Sequence, residues 1–140
     1  MEELLTFNYT IPGDDFTRAG EASSSVKNKL KKMGLDSNTI RKVSIAMYEG
    51  EINMVIHADG GTITVEISSE KIRMILADTG PGIADIDKAM ENGYSTAPEE
   101  VRSLGFGAGM GLPNMKKYTD YMNIDSTVGV GTTVTMDVRL

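Results

Sequence analysis

The sequence predicts an α+β fold, a two-layer α/β sandwich with helices on one face of a mixed, mostly antiparallel sheet. Three observations predict it. Segments of apolar period two come in hairpin-like pairs, and two helical segments follow one another with no strand between them. Strict β-α alternation, which a doubly wound parallel sheet requires, is missing. The 140 residues, 40% apolar and 24% charged, suit one compact domain spanning 1–140.

Each element can be justified in order. Leu5, Phe7, Tyr9 and Ile11 alternate with polar neighbours and read as a half-buried strand ending at Pro12-Gly13. Asp14 or Asp15 can cap a helix with apolar positions Phe16, Ala19, Val26, Leu30 and Met33, a weak middle at Ala22 and the serines, and a stop at Gly34. Ser37 or Asp36 opens a second helix, Asn38 to about Ala58, whose apolar residues spread around most of its circumference, so it is mostly buried. Thr62 to Ile67 and Ile72 to Asp78 form a hairpin around Ser-Ser-Glu-Lys. Asp85 to Asn92 suits a short helix stopped by Gly93, and a long loop follows from Tyr94 to Gly111. Leu112, Met115, Tyr118, Thr119 and Met122 carry a helical stripe, with Pro113 tolerable in its first turn. Met122 to Asp125 and Thr133 to Leu140 close the sheet around Gly129-Val130-Gly131.

Fourteen basic against twenty acidic residues give a net charge of -6, so no sequence-wide field attracts nucleic acid or anionic lipid. Neither nucleic acid nor membrane is expected as a partner. With no cysteine and a single histidine, His57, thiolate metal sites, Cys nucleophiles and His-rich cages are excluded. The start Met1-Glu2-Glu3-Leu4-Leu5 lacks the pattern of a signal peptide, and a cytoplasmic address is expected.

Three patches can carry chemistry. Glu49, Asn53 and His57 are four apart, which sets them on one stripe of the second helix. Asp78-Thr79-Gly80-Pro81-Gly82 puts an acid at a strand end beside two glycines, where a ligand donor can be accepted and backbone can approach closely. Gly105-Phe106-Gly107-Ala108-Gly109-Met110-Gly111 supplies bare N–H groups ahead of a helix, a recipe for holding phosphate. Walker A, the Rossmann fingerprint and the eukaryotic protein-kinase signatures do not fit these residues.

Together with Gly129-Val130-Gly131-Thr132-Thr133, these patches resemble the N, G1, G2 and G3 boxes of the GHKL ATPases, the superfamily of gyrase, the heat-shock chaperone, histidine kinases and MutL. The resemblance spans roughly Ser37 onward and is most similar to the stand-alone bacterial anti-sigma-factor serine/threonine kinases. It implies the GHKL (Bergerat) form of the sandwich, with a lid at about 93–111, and ATP with Mg²⁺ as cofactors and ADP as product. It further implies that Glu49 is the general base and that Asn53 is the Mg²⁺ ligand. Asp78 would bind the adenine amine, with Gly80, Gly82 and Ile83 against the base. Gly105, Gly107, Gly109, Met110, Gly111 and Leu112 would wrap the phosphates, and Thr132 or Thr133 would reach adenine. The implied partner is an anti-anti-sigma-type protein, with a sigma factor and a homodimer as further family traits. Glu51 is expected to face another side than Glu49, as a salt-bridge or solvent residue. Gly50 and Glu51 stand where the family places small or apolar residues, which leaves the tightness of local packing open. Arg102, Lys116 and Lys117 are further candidates for phosphate, with a solvated face the plainer reading for the lysines.

Three activities fit these residues: phosphotransfer to a partner serine, nucleotide-gated binding without transfer, and ATP hydrolysis for a larger assembly.

Overall fold

The computed structural model describes residues 5–13, 18–57, 60–80 and 111–140. The elements in chain order are β1 (Leu5–Pro12), α1 (Glu21–Lys32), α2 (Ser37–His57), β2 (Gly60–Ile67), β3 (Lys71–Asp78), α3 (Gly111–Lys117), β4 (Tyr121–Thr127) and β5 (Gly131–Arg139). The expected helix at 85–92, most of the expected lid, and Asp14, Asp15 and Phe16 lie outside the described residues.

The five strands form one sheet in the order β1-β2-β3-β5-β4, and all four described pairings are antiparallel. Register lines the inner face in rows. Phe7, Val65, Met74, Met136 and Met122 make one row, and Tyr9, Ile63, Leu76, Val134 and Ile124 the next. The helices bury Val26 and Leu30 of α1, Val43, Met47, Met54 and Val55 of α2, and Met115 of α3 against these rows. The outer face carries Thr6, Asn8, Thr62, Thr64 and Asn123, all open to solvent or half-buried. This is the expected sandwich, polar on one side of the sheet and covered by helices on the other.

Two helix boundaries differ from expectation. In the described residues α1 starts at Glu21, so Ala22 and the serines are its first turn and not a weak middle. Its N-cap is Gly20, which has no side chain to cap with. The missing cap comes from elsewhere in the chain. Glu51 of α2 accepts hydrogen bonds from Gly20 N (2.9 Å), Ala22 N (3.3 Å) and Ser23 N (3.0 Å), and Ser23 Oγ lies 2.9 Å away. Glu51 is therefore neither a salt-bridge nor a solvent residue. It does face away from Glu49, but it is buried, with 1% exposure. Second, α3 ends at Lys117, and of the two places the sequence offers Met122, the helical stripe and the closing strand, the second holds: it lies in β4, facing the core opposite Met136. At the start of α2, Asp36 is the cap: its Oδ2 accepts from Asn38 N and Thr39 N.

Candidate functional site

Helix α2 ends at His57 and β2 begins at Gly60, so the C-terminal half of α2 lies at the end of the sheet where β2 starts and β3 stops. Gly61 pairs with Asp78 there, and a methyl on Gly61 would run into Ala77 O and the Met54 methyl. Close approach of helix and strand ends at this point is possible because Gly61 has no side chain. Asn53, next to Met54, and Asp78 therefore share one end of the domain.

Asp78 is the last residue of β3, half-buried on the inner face. Its Oδ1 accepts hydrogen bonds from Gly80 N (2.9 Å), closing an Asx-type turn, and from Thr132 N across the sheet (3.2 Å). Among the described residues no donor meets Oδ2. A carboxylate fixed through one oxygen, with the other turned outward, is suited to accept from an amino group. Thr132 is buried and its Oγ1 lies 2.8 Å from Ser126 Oγ, so Asp78, Thr132 and Ser126 form a polar row at the rim of an apolar face. Thr133 lies on the opposite face of β5 with Thr135, away from this row. A methyl on Gly131 would collide with Asp78 O, so that glycine lets β5 close on the turn after β3.

The other half of the site is the stripe on α2. Glu49 and Asn53 both face α3: Asn114 Nδ2 lies 3.5 Å from Glu49 Oε1, and Asn53 Nδ2 lies 4.0 Å from Met115 Sδ, a weak acceptor. Between them, Gly50 is buried where a methyl would meet Leu76 and Met115, so the local packing left open by the sequence is tight. Leu112, in the first turn of α3, packs against the core. Gly111 opens α3.

Gly82, Ile83, Gly105, Gly107, Gly109, Met110 and Arg102 lie outside the described residues. His57 is the last residue of α2, and Lys116 and Lys117 are exposed in the last turn of α3, with Lys117 Nζ 5.4 Å from the centroid of the Tyr118 ring. The sequence does not single out Ser126 or Asn114, offers Met115 only as part of the apolar stripe of α3, and offers Glu51 only as a salt-bridge or solvent residue. Pairing across the Gly129 turn could have pointed to Ser126, which sits opposite Thr132. The two α3 residues touch α2 only through tertiary packing and carry no local signal.

Mg²⁺ fits the donor set. It keeps several waters and takes few protein oxygens when phosphates supply the rest, and among the described residues there is no cluster of three or more acidic or histidine groups that would make an all-protein cage. One amide oxygen on α2 is the expected protein share. Among the same residues no helix is long and apolar enough to cross a membrane.

The sequence model of the family described as "Histidine kinase-, DNA gyrase B-, and HSP90-like ATPase" matches residues 37–140, which hold the whole stripe, the Asp78 turn and the Gly131 turn. The chain belongs to this family. Its fold and its nucleotide, ATP, follow from that membership. Over 112 residues the chain is 31% identical to the serine/threonine-protein kinase RsbT of Bacillus subtilis (strain 168), covering 77% of this chain and 78% of that protein. Over 102 residues it is 38% identical to the anti-sigma F factor of Thermoanaerobacter sp. (strain X514), covering 69% of this chain and 68% of that one. The anti-sigma F factor of Clostridium acetobutylicum is 33% identical over 102 residues, again 69% of this chain and 68% of the relative. The GHKL-type chain described here is thus similar both to a protein kinase and to anti-sigma factors.

Proposed function

We propose that this GHKL-type chain is an ATP- and Mg²⁺-dependent protein serine/threonine kinase and anti-sigma regulatory factor, acting on an anti-anti-sigma-type partner. The observation that carries the reading is the shared end of the domain. Glu49 and Asn53 on α2 stand at the same end as the Asp78–Thr132 row, so a nucleotide with its base on the sheet rim can direct its phosphates toward the helix stripe. Asp78 accepts the adenine amine, with Thr132 beside it and Gly80 allowing close approach. Asn53 holds Mg²⁺, which when bound neutralises phosphate charge. Gly111 and Leu112, with the glycines before them, border the phosphates.

The transfer step balances simply. Glu49 takes the proton of the partner's serine hydroxyl, the serine oxygen bonds to the γ-phosphorus, and the bond to the bridging oxygen breaks to release ADP. Positioning and charge neutralisation carry most of such a reaction, and a general base contributes about 10²–10⁴-fold. A sigma factor as a second partner, a homodimeric assembly and a cytoplasmic signalling setting belong to the same proposal and rest on the family likeness alone.

Labelled ATP, mixed with the protein and an anti-anti-sigma-type partner, tests the reading. Label on a partner serine supports it. Binding shifted by nucleotide without label would replace it with an interaction module, and phosphate release indifferent to the partner would replace it with an ATPase. Asn53→Ala should abolish Mg²⁺-dependent ATP binding, whereas Glu49→Gln should bind ATP and transfer about 10²–10⁴-fold more slowly.

A further inference from the structure

We infer that Glu51 is a positioning residue that fixes the roll of α2, so that Glu49 and Asn53 face the nucleotide; this rests on the roles proposed above for those two side chains.

Residues 49 to 53 of α2 meet three different walls. Glu49 and Asn53 face α3 through Asn114 and Met115. Gly50 faces Leu76 of β3 and the Met115 methyl with no side chain of its own. Glu51, about 200° around the helix from Glu49, faces the first turn of α1. Gly50 itself offers the sheet no knob, so around it the roll of α2 is set by Met47 and Met54, a turn to either side in the core, and by whatever directed bonds its other faces make. The Glu51 carboxylate supplies the direction. Its two oxygens are divided between fixed donors: Oε2 takes Gly20 N and Ala22 N, and Oε1 takes Ser23 N and Ser23 Oγ. Ser23 Oγ also lies 3.1 Å from Gly20 O, which closes the network on the turn itself.

Rotation of α2 by a fraction of a turn would pull a buried carboxylate off its donors, and a buried charge without partners is strongly disfavoured. The same network caps α1, whose own N-cap is a glycine with no side-chain bond. The catalytic stripe therefore takes part of its orientation from a helix to which, among the described residues, neither Glu49 nor Asn53 is hydrogen-bonded.

The test uses Glu51→Gln in the full chain. Glutamine keeps the length but turns an NH₂ group toward the N–H donors of Gly20 and Ala22. Calorimetry measures ADP affinity with EDTA and with Mg²⁺. The Mg²⁺-free affinity, which depends on Asp78 and Thr132 on the sheet, should stay within roughly twofold of wild type. The gain in affinity from Mg²⁺, which depends on Asn53, should fall about tenfold or more, and transfer about 10²-fold, the loss expected for a misplacement of about 1 Å. Ser23→Ala, which removes one donor, should reduce the same gain by an intermediate factor. Asp36→Ala, which destabilises α2 at its far end, should leave the gain intact and so separates positioning from simple loss of stability.

A full Mg²⁺ gain in Glu51→Gln, with the gain abolished in Asn53→Ala, overturns the inference and leaves the functional reading standing. Should Glu51→Gln fail to fold, an unchanged gain in Ser23→Ala overturns it equally. No Mg²⁺ gain in the wild type, or a full gain in Asn53→Ala, removes the functional reading and the inference with it.

Discussion

Two glycines where the chain enters β5, Gly129 in the turn and Gly131 at the first strand position, look interchangeable in the sequence and should behave very differently when each is changed to alanine. Gly129 has φ +81° and Gly131 has φ +148°, so both sit where an L side chain is strained. Around Gly129 nothing lies within 4 Å of the built methyl, and the cost there is the backbone term alone, about 1 kcal/mol. At Gly131 the methyl meets Asp78 O, with Thr79 Cα at 2.9 Å and Asp78 C at 3.0 Å. These are backbone atoms, and no rotamer change relieves them.

The strand must shift, adding the loss of the Thr132 N–H bond to the Asp78 carboxylate. Strain of about 1–3 kcal/mol and a charged hydrogen bond of about 1.5–3 kcal/mol together give about 4 kcal/mol. For a domain of this size 1 kcal/mol moves Tm by about 3–4 °C, so Gly131→Ala should melt about 12–16 °C lower and Gly129→Ala about 3–4 °C lower. Circular dichroism melts and ADP titrations check both. Gly129→Ala should bind ADP as the wild type does, and Gly131→Ala should bind about tenfold or more weakly, the equivalent of about 1.4 kcal/mol. Equal melting points, or wild-type ADP affinity in Gly131→Ala, would refute the argument that this close approach holds Asp78 and Thr132 in place.

Three further outcomes are expected. Gly50→Ala gains about 1 kcal/mol of helix propensity but crowds Leu76 and Met115, at about 1–3 kcal/mol, so urea unfolding should show a net loss near 1 kcal/mol; a stabilised variant would contradict the packing described. Asp137→Asn breaks the paired bonds from Arg73 Nε (2.8 Å) and Nη2 (2.9 Å), and because Arg73 is 36% exposed the loss at neutral pH should be only about 1 kcal/mol. The Arg73 hydrogen bond chiefly holds the Asp137 carboxyl below its ordinary 3.8, so its contribution is complete above that value and disappears as pH falls through the lower folded value; urea midpoints of variant and wild type should differ at neutral pH and draw together as the pH is lowered below 3.8. Asp36→Ala removes the cap of α2 and should cost about 1 kcal/mol in the same assay.

Much of the fold was legible because the signals are local. Alternation marks β1 and β2, the Ser-Ser-Glu-Lys turn after β2 marks β3 as its hairpin partner, and the four-residue spacing of Glu49 and Asn53 survives as one face of α2. What was misread depends on contacts between distant segments. The start of α1 has no local cap, because its cap, Glu51, arrives from 29 residues away. Met122 fits both a helical stripe and the closing strand by spacing, and only its pairing with Met136 decides for the strand. Thr132 and Thr133 could not be separated without the parity of β5, which only its register with β3 supplies. The site divides in the same way: acids and amides announce themselves by type and spacing, whereas Asn114 and Met115 matter only through the helix they lean on.

The strand order carries a consequence for how the chain becomes active during synthesis. The last of the described strands, β5, is inserted between β3 and β4, and its bonds to β3 include those joining Arg73 to Asp137 across 64 residues of chain. Until it emerges from the ribosome, β3 and β4 lack the neighbour that joins them among the described strands, and the rim proposed to receive the purine lacks Thr132. Nascent chains stopped short of Gly131 should therefore be inert toward nucleotide and attractive to chaperones, with docking of β5 as the slow closing event.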